Sequence, residues 1–521
     1  MSDLEDEADF VIVGTGAGGA TAARVLSAAG HSVVMLEEGA RLVTADRPRD
    51  LLGAMAQAFR DMGTNATEGA SPLPLLQARC VGGATAINSG IIWRLPDEVR
   101  REWSERRGLG ELVDERGLSE AFDAIEGELE ITDTAPSLWG GNATLMARGA
   151  EALGLVGKAI ARNASRCKGS AQCLQGCPGE ARQSMDVSYV PRAIRQGARL
   201  HARARVDRVR FDGGRATGVE GAVLDAERRV VGALRVRARR AVIVAASAVQ
   251  SPVILRRSGL RGPVGETFMA HPGCAVVGRF DEPVGMGFGA TQAYEVPLRE
   301  RRMKLESISL PPEMIAARLP GAGPAWQERL AHLDHVAQWA VQVRMEAVGR
   351  VRPAWFGRGG EASVRYAPTR ADMMRVREGV ATLCRMMFAA GAREVYPGIA
   401  GVRSVLRDPS EVALVEAREH PQSHYSMMAS HLFASCPAGA DPATSAVGPD
   451  LAVHGVNGLY VMDSSALPTN LGVNPQHSIM GVTWRAAERL AQRTESAATR
   501  CVGAVRETAA SVPLAARTGA A

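Results

Sequence analysis

The chain of 521 residues contains little cysteine, no long apolar run and no large excess of either charge. Eight cysteines in this length are too few for the disulfide scaffold of a small secreted protein. A transmembrane helix is predicted by a run of about 18 uninterrupted apolar residues, and no stretch of the sequence approaches that length. The 61 Lys and Arg residues face 56 Asp and Glu residues, and no basic block predicts a nucleic-acid partner. The acidic N-terminus, MSDLEDEADF, lacks the apolar core of a secretory signal, so we expect a cytoplasmic protein.

The N-terminal segment 9–39, DFVIVGTGAGGATAARVLSAAGHSVVMLEEG, carries the clearest motif. An apolar strand, a G-x-G-x-x-G turn, an Ala-rich helix and a second apolar strand follow one another, and Glu37 closes the second strand. Gly14 permits the turn, Gly16 lets a pyrophosphate approach the backbone, and Gly19 lets helix and strand pack closely. The helix N-terminus attracts phosphates, and the carboxylate can bind a ribose diol. The segment therefore predicts a dinucleotide site.

Three later segments resemble the signature segments of the glucose–methanol–choline (GMC) oxidoreductases, which are FAD-dependent alcohol oxidases and dehydrogenases. They are QARCVGGATAINSGIIWRLP (77–96), SAVQSPVILRRSGL (247–260) and VHGVNGLYVMDSSALPTNLGVNP (453–475). The segments occur in the family's order along the chain. Ala84 departs from the family's usual small hydroxyl residue or Gly, and Arg261 replaces a usual Gly.

The resemblance implies a mixed α/β fold, of the α+β two-domain type. One is a Rossmann-like FAD-binding domain, and the other is a discontinuous substrate domain built on an antiparallel sheet plus helices. The expected ranges are 8–110, 195–280 and 442–494 for the FAD-binding domain, 111–194 for a Cys-rich loop and helical insertion, 281–441 for the substrate domain, and 495–521 for a disordered tail. Within them, 202–221 predicts a hairpin, 338–353 predicts paired strands, and 371–396 predicts a long helix.

The resemblance also implies contacts with FAD beyond the first motif. A glycine pair followed by polar side chains suits a loop that contacts flavin and phosphates. The residues expected to contact the cofactor in these later segments are Gly82, Gly83, Thr85, Asn88, Val206, Asp463 and Pro475. Some family members tether FAD through a His after the double glycine. Here no His occurs between His31 and His201, so we expect non-covalent FAD.

Alcohol oxidation requires a base for the hydroxyl proton and a polar group that orients the hydroxyl. The segment MASHLFASCPAG (428–439) resembles the family's stretch around the catalytic His, which predicts this role for His431, although Ala434 replaces a family Gly. The closing motif places Asn474 as the partner. A His/Asn pair resembles the cholesterol-oxidase and long-chain alcohol-oxidase branches. Structural roles remain alternatives: a buried His at the first position and an Asn-Pro turn at the second.

Three other histidines are weaker candidates. His477 follows the Asn partner by three residues and either points into the pocket or packs beneath it. His454 is expected in a structural loop. His424 lies near the predicted catalytic His in sequence but matches no motif.

The segment RCKGSAQCLQGCPGEAR (166–182) contains Cys167, Cys173 and Cys177. It resembles the loop of membrane-linked FAD glucose dehydrogenases in which three cysteines hold a [3Fe–4S] centre. It also resembles a Cys-rich segment of long-chain alcohol oxidases that covers the flavin or lines the pocket. A disulfide is a third interpretation. The remaining cysteines are interpreted as small apolar residues: Cys80, Cys274, Cys384, Cys436 and Cys501.

These observations predict an FAD-dependent oxidoreductase that oxidises the CH–OH group of an alcohol by hydride transfer to flavin N5. The branch resemblance favours an apolar, sterol-like or long-chain alcohol, with oxygen or an electron-accepting partner as acceptor. Three alternatives remain: a dehydrogenase that relays electrons through a [3Fe–4S] cluster, a lyase on the same scaffold, and an electron-transfer subunit. The sequence names neither the alcohol, nor the acceptor, nor the oligomeric state.

Overall fold

The computed structural model describes the backbone of residues 3–355 and 361–510, with side chains through Arg493. The α-helices are α1 Ala17–Ala28, α2 Leu51–Ala58, α3 Asp97–Arg107, α4 Glu115–Glu128, α5 Gly140–Ala152, α6 Tyr189–Arg195, α7 Ser247–Arg257, α8 Pro312–Ala316, α9 Pro324–Ala331, α10 Arg370–Ala389, α11 Ala413–Glu416 and α12 Gln476–Ala510. The strands are β1 Leu4–Val13, β2 Val33–Glu37, β3 Thr132–Asp133, β4 Lys158–Ala159, β5 Ala161–Arg162, β6 Arg199–Ala202, β7 Ala204–Asp212, β8 Arg215–Leu224, β9 Val230–Val244, β10 Met269–Ala270, β11 Gly273–Arg279, β12 Tyr294–Leu298, β13 Met303–Ser307, β14 Val336–Val343, β15 Arg350–Pro353, β16 Ala362–Arg365, β17 Glu394–Tyr396, β18 Met427–Met428, β19 Leu432–Phe433 and β20 Leu459–Val461.

The first sheet has the order β6-β2-β1-β9-β8-β7, with β20 beside β9. β6, β2, β1, β9 and β20 run parallel, as expected when a helix connects strands across one face. β9 is 15 residues long: its first part pairs antiparallel with β8 and its last three residues pair with β20. The predicted strands around the glycine turn and the predicted hairpin β7–β8 are therefore confirmed.

Helix α1 packs on this sheet at unusually close range because its first turn is rich in glycine. A methyl group at Gly19 would lie 2.0 Å from the carbonyl oxygen of Gly14. A methyl group at Gly18 would lie 1.8 Å from the carbonyl oxygen of Met462, just after β20. The glycines thus hold the helix, the turn and the end of β20 in contact, which positions the dinucleotide turn at the carboxyl edge of the strands.

The second sheet is antiparallel and has the order β17-β11-β14-β13-β12-β4, with β18 beside β11. Successive side chains of strand β14 face two different buried environments. Trp339 and Val341 belong to an apolar core that α10 shares, and a methyl group at Gly379 of α10 would lie 2.5 Å from Val341 Cγ2. The intervening Gln338 and Gln342 line a cavity on the other face. The α/β fold class and the antiparallel second sheet expected from the resemblance are confirmed.

Some local expectations differ from the structure. Segment 338–353 was expected to contain strands paired with each other, but β14 pairs with β11 and β13, whereas β15 pairs with β16. The second sheet also recruits β4 and β11 from outside 281–441, so the domain boundaries stay a prediction. Helix α12 continues to Ala510, and residues 511–521 of the expected tail lie outside the described residues.

Helix α7 starts at Ser247 and carries Pro252 in its interior. Proline has no N–H group for the carbonyl oxygen of Ala248 one turn earlier. The hydroxyl group of Ser435 donates to this oxygen at 2.6 Å, so another segment satisfies it. Among the residues that the structure describes, no helix has both the length and the apolar character needed to cross a membrane.

Candidate functional site

One cavity of about 570 Å³ draws its lining from both sheets. Its lining includes residues of the first glycine motif and side chains of β13 and β14. The predicted site residues that line it are Gly14, Gly16, Glu37, Gly83, Thr85, Asn88, Val206, His431, Asp463, Asn474 and Pro475. Gly19 and Gly82 lie behind this lining, where they support it.

The glycine turn presents backbone to the cavity. Gly14 has φ +97°, a conformation that side-chain-bearing residues rarely adopt. No side chain caps the N-terminus of α1, and its first turn contains no acidic residue. Its N–H groups and positive dipole end are therefore available to phosphate oxygens. A methyl group at Gly83 would lie 2.9 Å from Gly16 Cα, so the second glycine loop also approaches this turn.

Glu37 is fixed at the end of β2 by three protein donors. Its Oε2 accepts from the Thr15 amide at 3.1 Å and from the Thr15 hydroxyl at 2.8 Å, and its Oε1 accepts from the Gly39 amide at 2.9 Å. Burial raises the pKa of the Glu37 carboxyl group despite these hydrogen bonds. A carboxylate offers about four acceptor positions, so one remains for a diol hydroxyl in the cavity.

The loop that follows the second glycine pair is held by its own side chains. The Gly82 amide donates to the Thr15 hydroxyl at 3.0 Å. The Thr85 hydroxyl donates to the Gly82 carbonyl oxygen at 2.7 Å and accepts from the Met185 amide at 2.9 Å. Asn88 Nδ2 donates to Gln476 Oε1 at 2.7 Å, which ties the loop to the start of α12. These side chains shape the cavity wall, and their direct contact with a cofactor stays a prediction.

Asp463 lines the cavity but is already engaged by the protein. Its Oδ2 accepts from the Ser247 amide at 2.9 Å and from the Ser251 hydroxyl at 2.5 Å. Its Oδ1 accepts from the amide and the hydroxyl of Ser465, the amide at 2.7 Å. Burial raises the pKa of the Asp463 carboxyl group. The carboxylate therefore joins the end of β20 to the start of α7, and its predicted contact with a cofactor hydroxyl stays a prediction.

His431 is half-buried, and it lines the cavity immediately before β19. Burial lowers the pKa of its imidazole to about 3, and the nearby charge of Lys304 lowers it further in the same direction. The ring is therefore neutral at physiological pH. Ala434, which replaces the family's Gly, has φ +63°. A left-handed conformation at this position is the physical reason for a glycine there.

Asn474 lies beside a buried charge cluster that the sequence analysis missed. Its Oδ1 accepts from Lys304 Nζ at 2.5 Å. The same ammonium group lies 2.7 Å from Glu306 Oε2 and 3.1 Å from Glu295 Oε2. All three charged side chains are at most 2% exposed. Glu306 Oε1 accepts in turn from Gln342 Nε2 at 2.7 Å.

His271 is a second histidine at the cavity that was not predicted. It is 1% exposed, and its ring centroid lies 4.6 Å from that of His431. Neither ring nitrogen has a hydrogen-bond partner in the structure. Burial, followed by the charges of His431 and Lys304, holds its pKa well below the usual range. The one available sequence signal was its position before a buried apolar strand, which does not distinguish it from a structural residue.

The weaker histidine candidates lie outside the cavity lining. His477 packs against Phe122 of α4 at a ring-centroid distance of 4.5 Å, and its Nε2 lies 2.9 Å from Glu126 Oε1. It therefore packs beneath the site. His454 Nε2 contacts the Ser445 hydroxyl at 3.0 Å in a surface loop. His424 lies with its Nδ1 3.4 Å from that of His420.

The three clustered cysteines are not brought together as a metal-ligand set in the part of the chain that the structure describes. Within the described part of the chain, no group of three or more His, Cys, Asp or Glu side chains is arranged to hold a metal ion. Cys173 Sγ instead accepts from Arg162 Nη2 at 3.1 Å. Burial alone would raise the pKa of the Cys173 thiol, but the guanidinium groups of Arg162 and Arg182 outweigh it and lower this pKa. The described side chains thus give no support to a [3Fe–4S] centre, which stays a prediction.

The same loop is clamped against the second glycine loop and contributes to the cavity. Arg182 Nη2 donates to the Ala86 carbonyl oxygen at 2.6 Å, and Arg182 Nη1 donates to the Cys173 carbonyl oxygen at 2.6 Å. Leu174 lines the cavity. The interpretation of the loop as a cover thus agrees with its position. None of the seven cysteines with described side chains forms a disulfide, and Cys501 lies outside this set.

Comparisons with known proteins place this geometry in a family. The sequence model of the GMC oxidoreductases matches residues 8–273 with its N-terminal part and residues 359–483 with its C-terminal part. The chain belongs to the GMC oxidoreductase family. A GMC-type oxidoreductase of Sinorhizobium fredii, described as uncharacterized, is 34% identical over 97% of this chain and 98% of its own length. A long-chain-alcohol oxidase of Arabidopsis thaliana is 25% identical over 93% of this chain and 67% of its own length.

Solved structures show the same fold. A formate oxidase of Aspergillus oryzae, whose structure concerns FAD modification, has a TM-score of 0.72 at 16% identity and covers 94% of this chain and 99% of its own. Pyridoxine 4-oxidase from Mesorbium loti has a TM-score of 0.68 at 16% identity with the same coverage. As a GMC oxidoreductase, the chain is an FAD-dependent oxidoreductase. The glycine turn, the uncapped N-terminus of α1 and the carboxylate at the end of β2 fit this cofactor.

Proposed function

We propose that this oxidoreductase oxidises the CH–OH group of an alcohol to a carbonyl group, with His431 as the acid–base group and Asn474 as its hydrogen-bonding partner. The observation that carries the proposal is that both side chains line the same cavity as the glycine turn. The dinucleotide residues would hold FAD at one end, and the paired side chains would hold the alcohol. We infer non-covalent FAD because the second glycine loop contains no His.

The chemistry of the pair follows from its protonation and orientation. The His431 imidazole, whose pKa is lowered to about 3, is unprotonated, so a ring nitrogen can accept a hydrogen bond from the substrate hydroxyl and serve as the acceptor of its proton. Asn474 Oδ1 is held by Lys304, so Nδ2 is the amide group that donates to the substrate oxygen. Bound FAD supplies the acceptor for the hydride from the substrate carbon. The alcohol thus loses one proton and one hydride, and a carbonyl product forms.

The part of the cavity expected to receive the substrate has surfaces of two kinds. Ile308, Leu310 and Met314 contribute apolar surface, which supports the apolar body favoured by the branch resemblance. Gln338 and Gln342 of β14 contribute polar surface to the same cavity. The final acceptor is oxygen or an electron-accepting partner, and the rate of reoxidation in air separates these two.

The decisive experiment is anaerobic reduction of the bound flavin by an alcohol. We expect His431→Ala to slow reduction by ~10²–10⁴-fold and to retain FAD, since this is the usual scale for removal of a general acid–base group. His424→Ala is the matched control because this His lies outside the cavity lining in the same region of the chain. Equal reduction rates in His431→Ala and the parent would remove His431 from the role. A flavin that no alcohol bleaches would favour a lyase or an electron carrier.

A further inference from the structure

A single buried ion pair contacts two of the amide side chains that line the cavity, those of Asn474 and Gln342. Lys304 and Gln342 are directly opposite each other on β13 and β14, and Glu306 follows Lys304 on the same face. Opposite residues in an antiparallel pair have Cβ atoms about 5 Å apart. Four side chains therefore form one chain of contacts: Asn474 to Lys304, Lys304 to Glu306, and Glu306 to Gln342.

This chain determines which end of each amide is left for the cavity. Lys304 Nζ can only donate, so the amide atom that it contacts must be the oxygen of Asn474. The carboxylate of Glu306 can only accept, so the amide atom that it contacts must be the nitrogen of Gln342. Asn474 is left with a free donor, and Gln342 with a free acceptor. The ordinary ambiguity of amide orientation is thus resolved by fixed charges.

The free acceptor has no partner within the protein. Gln342 is 8% exposed, and its Oε1 is buried without a hydrogen-bond donor. An unsatisfied buried acceptor is costly, and a donor from a bound molecule would remove that cost. The residue lines the same cavity as Asn474.

We propose that the buried Lys304–Glu306 pair orients the amides of Asn474 and Gln342 in opposite senses and thereby selects an alcohol with a second hydrogen-bond donor. The reacting hydroxyl oxygen accepts from Asn474 Nδ2, and a second O–H or N–H group of the substrate donates to Gln342 Oε1. Diols and amino alcohols share this chemistry, whereas a simple long-chain alcohol lacks it. The inference rests on the proposed function and names the substrate class for it.

Two matched substrate series test the selection. The rate of anaerobic flavin reduction is measured with straight-chain mono-alcohols and with diols and amino alcohols of the same carbon number and varied spacing. At one spacing we expect the bifunctional alcohol to exceed its mono-alcohol by about 3- to 10-fold in kcat/KM, the scale of one hydrogen bond. Diols and amino alcohols then distinguish an O–H donor from an N–H donor.

The variant Gln342→Leu removes the acceptor. We expect it to abolish the preference by lowering kcat/KM for the bifunctional alcohol more than for the mono-alcohol. Gln327→Leu makes the same change at an exposed position of α9 and should keep the parental preference. Calorimetric titration of His431→Ala with the two alcohols measures binding without turnover. We expect the ratio of the two dissociation constants to match the parental ratio of kcat/KM values.

Lys304→Met tests the orientation of both amides, and it should lose the preference as well. Because this variant leaves the buried Glu306 carboxylate without its cation, it can fail to fold, and Gln342→Leu then decides. Equal kcat/KM for the two series at every spacing, or an equal loss for both in Gln342→Leu, would overturn the inference alone. A flavin reduced by neither series would overturn the proposed function and this inference together.

Discussion

Lys304 is a buried ammonium group that contacts two carboxylates and one amide, and its charge acts on two histidines. It pairs with Glu295 and Glu306 at 3.1 and 2.7 Å, so its own charge is compensated within the protein. Its pKa is raised: burial alone would lower it, but the two carboxylates outweigh that effect. The charge also contributes to the lowered pKa values of His271 and His431. At the residue scale, one lysine therefore affects both orientation and protonation at the site.

The pH dependence of flavin reduction tests this electrostatic role. In the parent, His431 has a lowered pKa of about 3, so it is neutral and able to accept a proton throughout about pH 5 to 8. We expect kcat/KM to show no ionisation of His431 in this range. In Lys304→Met the histidine loses a positive neighbour while its burial remains, so its pKa rises and the acidic fall of the rate moves to higher pH. The measurement is stopped-flow flavin reduction across this pH range.

Lys158→Met is the matched control for that profile. Lys158 is a half-exposed lysine whose Nζ lies 3.6 Å from Glu295 Oε1, so it touches the same cluster from outside. We expect its variant to keep the flat parental profile. A Lys304→Met profile that is uniformly slower but equally flat would assign Lys304 a structural role only.

At the scale of elements, the packing of α1 against the end of β20 depends on one glycine that the motif does not include. A methyl group at Gly18 would lie 1.8 Å from the Met462 carbonyl oxygen. This oxygen belongs to the backbone, so it cannot move aside as the end of a flexible side chain can. We expect Gly18→Ala to destabilise the protein by more than 1–3 kcal/mol, the usual range for overpacking, and to lose FAD on gel filtration.

Gly127→Ala makes the same change at an uncrowded position, and we expect it to have the opposite effect on stability. Gly127 lies in α4, and a methyl group there would meet no atom within 4 Å. Since Ala is the better helix former, we expect a gain of up to about 1 kcal/mol in the free energy of unfolding. Chemical denaturation of both variants checks the pair. A Gly18→Ala protein with parental stability and FAD content would show that α1 and β20 can separate without cost.

From the contacts of the cysteines in loop 166–182, we expect a protein without iron. Cys173 Sγ is occupied by Arg162, and the Cys177 Sγ accepts from the Arg182 amide at 3.4 Å. We expect anaerobically purified protein to give a flavin spectrum, with iron and labile sulfide far below one per flavin. About three irons per flavin, with broad absorbance beneath the flavin bands, would contradict this expectation and restore the cluster.

The elements differ in how well the sequence predicted them, for a physical reason. The strand, glycine turn and helix at 9–39 are local, and their signals lie within the segment itself. Strands β14 and β15 were found as strands, but their partners were not, because alternation identifies the faces of a strand and not its neighbours. Lys304 and Glu306 alternate with Met303 and Leu305, a pattern typical of a solvent-facing edge. Here that face borders a cavity, so their burial was not predictable from sequence.

At the scale of the whole molecule, the cavity draws histidines from distant parts of the chain into one buried region. His271 precedes β11 and His431 precedes β19, yet their ring centroids lie 4.6 Å apart. Lys304 and Arg299 face the first ring with positive charge. Both pKa values lie below the unfolded value of about 6.5. Below that pH the unfolded chain binds protons at these positions that the folded protein excludes.

The sign of the pH effect follows from this difference. Stability from these two groups is fully present above about pH 6.5 and is lost as pH falls, at up to about 1.4 kcal/mol per pH unit for each histidine. Carboxyl groups with raised pKa values, Glu37 and Asp463, act in the opposite direction, so the total slope alone is not decisive. The comparison of the parent with His271→Leu isolates the contribution of His271 to the pH dependence of stability.

We therefore expect His271→Leu to reduce the pH dependence of the free energy of unfolding by up to about 1.4 kcal/mol per unit between about pH 6.5 and 5. The measurement is urea denaturation of both proteins, saturated with FAD, at several pH values. Identical slopes for the parent and His271→Leu would mean that the folded protein accepts a proton on His271 at ordinary pH. Its buried position beside His431 would then stabilise an imidazolium, and the neutral state assigned to His431 would need revision as well.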